Sequence, residues 1–405
     1  MLGIGGALRT TRRLRAARRQ DPSVTPVPER LVVVVPTIGR PDTLPALRRV
    51  IASCGHLAPL FPDHRVDIVI EEGCAAAAEI RALAAATPSA RVVTVPRTYT
   101  TPRGTRFKAR ANQYALTCRE TRPDVWILHL DDDTAIGPDT AGELARFVAA
   151  QRGPDAKHLA QGVLTYPREL GANRLLWLAD AIRPAGDVSM FAATTGLGTP
   201  RAGLHGELLL VRASVEAEIG WDYGPRTMVE DAHFALEFAR RHPGRSDWFP
   251  GRCFGATPAT AAGFVVQRER WAWGLLELAF SRAVPLRHRL LLLHNVIVWA
   301  CLPLQHVGVV LAVGWLIGDT NTHPAVTWLL PVWAMNLAYN AWSYWAGLRL
   351  NACASASGPP RWWERAAVVT GIPLFSLLEA AGVARGVLRF VRRDASAFPV
   401  IAKPL

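Results

Sequence analysis

The sequence predicts an α/β domain followed by an apolar helical region, and three observations lead there. From Leu31 to about Leu286, short β-rich runs at residues 31–35, 66–70, 91–95 and 125–130 alternate with helical stretches, the pattern of a sheet interleaved with helices. Each run ends in residues suited to a loop or a ligand: Pro36-Thr37, Glu71-Glu72-Gly73, Pro96-Arg97 and Asp131-Asp132-Asp133. In open α/β sheets, ligands gather at such carboxyl ends. Beyond Arg289 the character changes, and apolar runs of membrane-crossing length take over.

Residues 1–29 form a basic arm carrying Arg9, Arg12, Arg13, Arg15, Arg18 and Arg19, with no apolar stretch of signal-peptide length before Pro26 and Pro28. The arm is expected to rest on anionic cytoplasmic lipid with Leu2, Ile4, Leu8 and Leu14 dipping into the interface; its plain alternative is a disordered tail. Residues 30–285 make the α/β domain. Within it, Gly, Pro and Arg punctuate residues 193–206, which read as a mobile loop.

Residues 286–405 make the membrane region. The run 290–317 is apolar over about 28 residues, beyond the roughly 20 a spanning helix needs. Pro303 would kink it, and His294, Asn295, Gln305 and His306 give it a polar face. A second span is expected over 326–350. The connection 318–324 holds no Lys or Arg, whereas Arg282, Arg287, Arg289, Arg349, Arg361 and Arg365 flank the pair, which places the α/β domain in the cytoplasm. A third apolar run, 366–388, is interrupted by Pro373, Glu379 and Arg385 and followed by Arg389, Arg392 and Arg393. An interfacial or re-entrant helix is favoured there over a third span, leaving a cytoplasmic tail.

Composition narrows the function classes. A chain of 405 residues with 50% hydrophobic residues and 14 Trp is too apolar to be disordered or purely solvent-facing. The net charge of +13 suits an anionic partner. No helix-turn-helix, RNP or finger pattern accompanies it, so no nucleic-acid partner is expected. The six cysteines lie far apart without a C-x-x-C pair, which argues against a zinc site or disulfide framework.

Three local patterns carry chemistry. Asp131-Asp132-Asp133 follows the strand-like run 125–130; adjacent carboxylates repel, and a hard divalent cation, Mg²⁺ or Mn²⁺, would neutralise them. A lone D-x-D is more often a turn or helix cap. Glu230-Asp231 opens a helical stretch, where acids also serve the helix dipole. Gln267, Arg270 and Trp271 form Q-x-x-R-W just before the membrane region, a pattern that an amphipathic helix would also produce; a guanidinium beside an indole suits phosphate oxygens and a sugar face.

Taken in order, Pro36-Thr37, Glu71-Glu72, the stretch with Lys108 and Arg110, D-x-D, Glu230-Asp231 and Q-x-x-R-W resemble the family-2 inverting glycosyltransferases of GT-A fold. With His205-Gly206-Glu207, Trp221-Asp222-Tyr223-Gly224 and the C-terminal Phe398 to Lys403, the resemblance is nearest to the egghead-like β-1,4-mannosyltransferases and more distant to cellulose synthase. It implies that Pro36, Thr37, Glu71 or Glu72, Lys108 and Arg110 border the nucleotide-sugar, with Asp131 against ribose or diphosphate and Asp133 on the metal. Asp231, beside Glu230, would be the general base. His205, Gly206, Glu207, Gln267, Arg270 and Trp271 would border the acceptor or the leaving diphosphate, and Phe398 to Lys403 resembles a gating segment. Glu71-Glu72 stands where many relatives carry Asp, and the N-terminal spans of some egghead-like members have no counterpart here. The implied activity is transfer of a hexose from GDP-mannose or UDP-glucose to a lipid-linked or glycan acceptor at the bilayer. A processive polysaccharide synthase is the runner-up, and a non-catalytic membrane scaffold of the same fold the rival of another class. On this reading Asp231 keeps an ordinary carboxylate pKa, a weak base for an alcohol.

Overall fold

The computed structural model describes residues 2–17, 24–318 and 324–393. Helix α1 (Leu2–Ala17) precedes strand β1 (Arg30–Pro36), helix α2 (Leu44–Cys54), β2 (His64–Glu71), α3 (Ala77–Ala85), β3 (Ala90–Val95), α4 (Phe107–Thr117) and β4 (Val125–His129). After the short β5 (Ala135–Ile136) come α5 (Pro138–Ala150), β6 (Leu159–Thr165), α6 (Arg174–Ala179), α7 (Ile182–Gly186) and α8 (Ala192–Thr195), the last two joined by a π-helical turn at Asp187–Phe191. Then follow β7 (Leu209–Arg212), α9 (Ala213–Ile219), α10 (Glu230–Arg241), β8 (Ser246–Phe254) and α11 (Ala261–Phe280).

The eight strands form one sheet in the order β3-β2-β1-β4-β7-β6-β8-β5. Strands β1 to β4 are mutually parallel, and the buried runs of the central β1 and β4 fit a sheet covered on both faces, while the edge strand β3 is only partly buried. Strand β7 then runs antiparallel to β4, with Leu209 opposite His129. That register matters for the site: it brings the residues just before β7, His205 to Glu207, to the same edge as the residues just after β4, Asp131 to Asp133. Buried Asp67 in the middle of β2 is met by Arg65 at 2.8 Å and Arg91 at 2.7 Å, so its charge is satisfied inside the sheet.

Helices α12 (Leu286–Ala300), α13 (Leu304–Ile317), α14 (Pro324–Cys353), α15 (Trp362–Thr370) and α16 (Ile372–Arg392) complete the described chain. The run 290–317 is divided at Pro303, and α12 and α13 meet at a 54° bend; α15 and α16 meet at 53°. Among the described residues no single helix is long and apolar enough to cross a membrane, whereas these two bent pairs reach that length and composition together. The expected second span falls within α14, which carries Pro331 inside it. Helix α16, expected to lie at an interface, packs along α11: a Cβ on Gly386 would stand 2.7 Å from Glu269 O and 3.0 Å from Trp273 N, so glycine permits the close approach.

Two further expected segments pack against the rest of the protein. The N-terminal arm is a helix docked on protein: Gly6, Ala7 and Thr10 are buried and Arg13 pairs with Asp247 at 2.7 Å, while Leu8 faces outward. Its alternation of small and basic residues serves a close helix contact. Residues 193–206, expected as a loop, are turns and irregular backbone after Thr195 that pack against protein, since Ala193, Thr195, Ala202 and Leu204 are buried and Gly198 O accepts from Gly244 N at 2.9 Å. Arg18, Arg19, most of the connection 318–324 and the segment from Phe398 to Lys403 lie outside the described residues.

Candidate active site

The site forms where parallel strands end. Pro36 closes β1, and Thr37 Oγ1 donates to Asp132 Oδ2 at 2.7 Å, tying the first strand end to the acidic turn after β4. Lys108, in the first turn of α4, forms ion pairs with Asp131 and, at 3.6 Å, with Glu230 at the start of α10. One ammonium therefore bridges two acidic motifs a hundred residues apart in sequence. Gly206 makes room for it, because a Cβ there would clash with Lys108 Nζ. The Gln161 side chain holds the loop around Gly206: its Oε1 accepts from His205 N at 3.0 Å, and its Nε2 donates to His205 O at 3.0 Å and Glu207 O at 3.2 Å.

Backbone strain marks the same places. Phe107 (φ 58°) and Leu208 (φ 54°) adopt left-handed conformations that side chains disfavour, and they directly adjoin Lys108 and Glu207. Such conformations persist where surroundings over-determine them, often at functional sites.

Electrostatics completes the description. Burial, reinforced by Glu230 and Glu207 and opposed by Lys108, pushes the Asp231 carboxyl up to about 7. Its Oδ1 accepts from Ala232 N at 2.8 Å, which fixes the carboxylate at the helix start. Glu207 is likewise raised, by burial and then by Asp131. His205 pairs with Asp187, and although burial alone would lower its pKa, that partner raises it. The ordinary carboxylate pKa expected for Asp231 is thus corrected: burial and the convergence of acids bring its carboxyl near neutrality.

Not every expected residue joins this cluster. Glu71 pairs with Arg110, which also donates to Pro96 O at 2.6 Å and Tyr99 O at 2.8 Å, and exposed Glu72 accepts from Arg97 N at 2.8 Å. These lie at the ends of β2 and β3, neighbouring strands of the sheet. Gln267 is buried and accepts from Arg268, which in turn binds Asp180 and, at 2.9 Å, Glu379 of α16. Half-buried Arg270 and Trp271 follow on α11. Trp271 is engaged by two guanidinium groups, Arg183 at 4.5 Å and Arg268 at 5.0 Å from the ring centre. A cavity of about 680 Å³ opens beside the start of α10 between Tyr223, Val229, His233, Glu277, Phe280 and Phe390. None of Asp131, Glu207 or Asp231 lines it, so it is not the seat of the charged cluster.

Among the described residues no group of three or more His, Cys, Asp or Glu side chains is placed as a ready cage. Asp131 and Asp133 still offer hard oxygen ligands, and Mg²⁺-like ions are commonly held by one or two carboxylates with substrate phosphates supplying the rest. The residues fit a cation that arrives with a diphosphate and not one held by protein alone.

Residues 126–346 match the family described as glycosyl transferase family group 2. The chain belongs to this family. The match takes in the acidic turn after β4, Glu230-Asp231 and Q-x-x-R-W, as their order in the sequence suggested. Curated relatives include beta-1,4-mannosyltransferase bre-3 of Caenorhabditis elegans, 31% identical over 229 residues covering 55% of this chain and 49% of the relative. Beta-1,4-mannosyltransferase egh of Drosophila melanogaster is 31% identical over 231 residues, 55% of this chain and 48% of the relative. The chain spans about half the length of the curated relatives it matches. The mannosyltransferase PcManGT from Pyrobaculum calidifontis, solved with GDP-Man and Mn²⁺, superposes with a TM-score of 0.50 at 16% identity, covering 97% of this chain and 96% of the other. That likeness establishes the family's GT-A type of mixed sheet flanked by helices here, and the fold alone.

Sequence reasoning missed Gln161, Asp187, Arg183 and Tyr166. No motif marks them, because their roles arise only when β6, α7 and the π-helical turn pack beside the loop before β7.

Proposed function

We propose that this chain is a membrane-bound inverting hexosyltransferase that moves a sugar from a nucleotide-sugar to a glycan or lipid-linked acceptor. The observation that carries the reading is Asp231, a carboxyl raised to about 7 within the Lys108–Asp131–Glu230 cluster at the strand ends. A base poised near the working pH accepts the acceptor's proton most effectively as the new bond forms. Asp231 removes that proton, Lys108 anchors the acidic turn, and Asp131 with Asp133 would hold a divalent cation at the diphosphate end of the donor. A divalent cation bound there would neutralise charge on the departing diphosphate. Thr37, Arg110 and Glu71 border the nucleotide, while His205, Glu207, Arg270 and Trp271 border the acceptor and the leaving group.

GDP-mannose is the favoured donor, supported by the names of the relatives and by the GDP-Man carried by the PcManGT structure. Seating in a bilayer is supported by the two bent helix pairs and by outward apolar side chains such as Val310 (70% exposed) and Ile317 (83%). Positive-inside flanks put the α/β domain on the cytoplasmic side. The test incubates the purified chain with GDP-mannose, UDP-glucose and other nucleotide-sugars, with Mn²⁺, with Mg²⁺ or with chelator, and scores nucleotide diphosphate release. Release from one donor, lost on chelation and restored by cation, is the expected result. Absence of release from every donor would defeat the proposal.

A further inference from the structure

Arg183, in the short helix α7, stands beside the acidic cluster without belonging to any motif. Among the described residues its guanidinium makes no hydrogen bond and no ion pair. It is held all the same, with its central carbon 4.9 Å from the centre of the Tyr166 ring and 4.5 Å from that of Trp271. Stacking on aromatic faces fixes the plane of a guanidinium and leaves its edge of N–H donors available. Tyr166 is itself buried, with its backbone oxygen accepting from Trp177 Nε1 at 2.8 Å, so the support is rigid.

The surrounding charges say what such an edge would bind. Neighbouring basic side chains are committed: Arg268 to Asp180 and Glu379, His205 to Asp187, and Lys108 to Asp131 and Glu230. Glu207 lies within electrostatic reach of Arg183, His205 and Lys108. A diphosphate placed at Arg183 would face the acid Glu207, with the other basic side chains already paired and little left to neutralise it. A sugar ring differs, because one hydroxyl accepts from a guanidinium while its neighbour donates to a carboxylate.

We propose that Arg183 binds the acceptor sugar, pairing with Glu207 across adjacent hydroxyl groups, and that Trp271 is a positioning residue that acts by holding Arg183. The assignment rests on the hexosyltransferase reading. Trp271 has both Arg183 and Arg268 against it, so its indole serves as a bed for a guanidinium more than as a bare platform for a sugar face.

The test measures donor and acceptor kinetics of the full chain with the nucleotide-sugar it turns over. Octyl glucosides, mannosides and galactosides serve as acceptor probes, and the one best used by the unaltered protein is kept throughout. Arg183→Gln is expected to raise the acceptor KM by at least about tenfold, the size expected for lost charge-assisted hydrogen bonds, with donor KM and acceptor-independent nucleotide release near those of the unaltered protein. Arg183→Lys should fall between them. Trp271→Ala should raise the same KM, and the double substitution should be no worse than the poorer single one, because both remove one interaction. An unchanged acceptor KM in Arg183→Gln, or a raised donor KM in its place, overturns the assignment, and so does donor hydrolysis without transfer to any of these neutral glycosides. Multiplying effects in the double substitution overturn the role given to Trp271. Failure of the unaltered protein to turn over any nucleotide-sugar defeats the hexosyltransferase reading and this one with it, whereas turnover indifferent to Arg183→Gln removes Arg183 alone.

Discussion

Glu216 and Asp231 are both acids enclosed by protein near β4, yet their surroundings drive them in opposite directions. Burial alone would raise both. Around Glu216, however, Arg119 forms an ion pair, His129 Nε2 lies 2.8 Å away and Trp221 Nε1 donates at 2.7 Å, and together they bring its pKa down to about 2. Around Asp231 the nearest charges are Glu230, Glu207 and a Lys108 shared with Asp131, and its carboxyl rises to about 7. The first acid has a full set of partners and serves as scaffold. The second lacks them, and its carboxyl titrates near neutrality, where the ionised form is able to take up a proton.

The sharpest way to break this contrast is to remove each acid. Asp231→Asn should lower kcat by about 10²–10⁴-fold, the usual span for a lost general base, with donor KM little changed; near-normal turnover would remove Asp231 from the role. The same change should leave the protein at least as stable at pH 8, because it deletes a charge that burial disfavours. Glu216→Ala should do the reverse, costing about 3–5 kcal/mol of stability by leaving Arg119 buried and unpaired, while folded molecules keep their catalytic constants. Chemical denaturation alongside kinetics separates the two. Since the folded pKa of Glu216 lies below its ordinary 4.5, its contribution is complete above that pH and is lost as pH falls from 4.5 toward 2.

Smaller effects sharpen the picture of the cluster. Gly206→Ala should displace Lys108 and cost up to about 10²-fold in turnover, as a misplacement near 1 Å can, without a matching loss of thermal stability. Lys108→Gln removes the charge that holds Asp231 down, so the acid limb of the pH–rate profile should move to higher pH; a move to lower pH would contradict the arrangement.

Much of the frame was legible because local chemistry and global fold agree there. The runs at 31–35, 66–70, 91–95 and 125–130 are β-branched and bounded by loop residues, and all four are strands of the sheet. The second half of the sheet was harder to see, since β8, which runs parallel to β6, contains Pro250 and Gly251, residues that usually mark a turn. Helix α1 was hidden for another reason: Gly3, Gly5 and Gly6 suggest disorder until the groove that needs small residues is known. At the site, order along the chain pointed to Lys108, Asp131, Glu207, Glu230 and Asp231, and the fold brings these five near one another. The pKa of Asp231 was not legible at all, because it depends on Glu207 and Lys108 arriving from distant segments. Arg183 escaped notice for the same reason, lying in a stretch with no motif and acquiring meaning only from Tyr166 and Trp271.

The most direct test of the central claim is the pH dependence of kcat/KM for sugar transfer by the unaltered protein. If the base is Asp231 in its observed surroundings, kcat/KM rises about tenfold per unit at low pH, bends near pH 7 and levels above it. A profile flat from pH 5 to pH 8 would show that no group titrating there governs transfer, and would contradict the account.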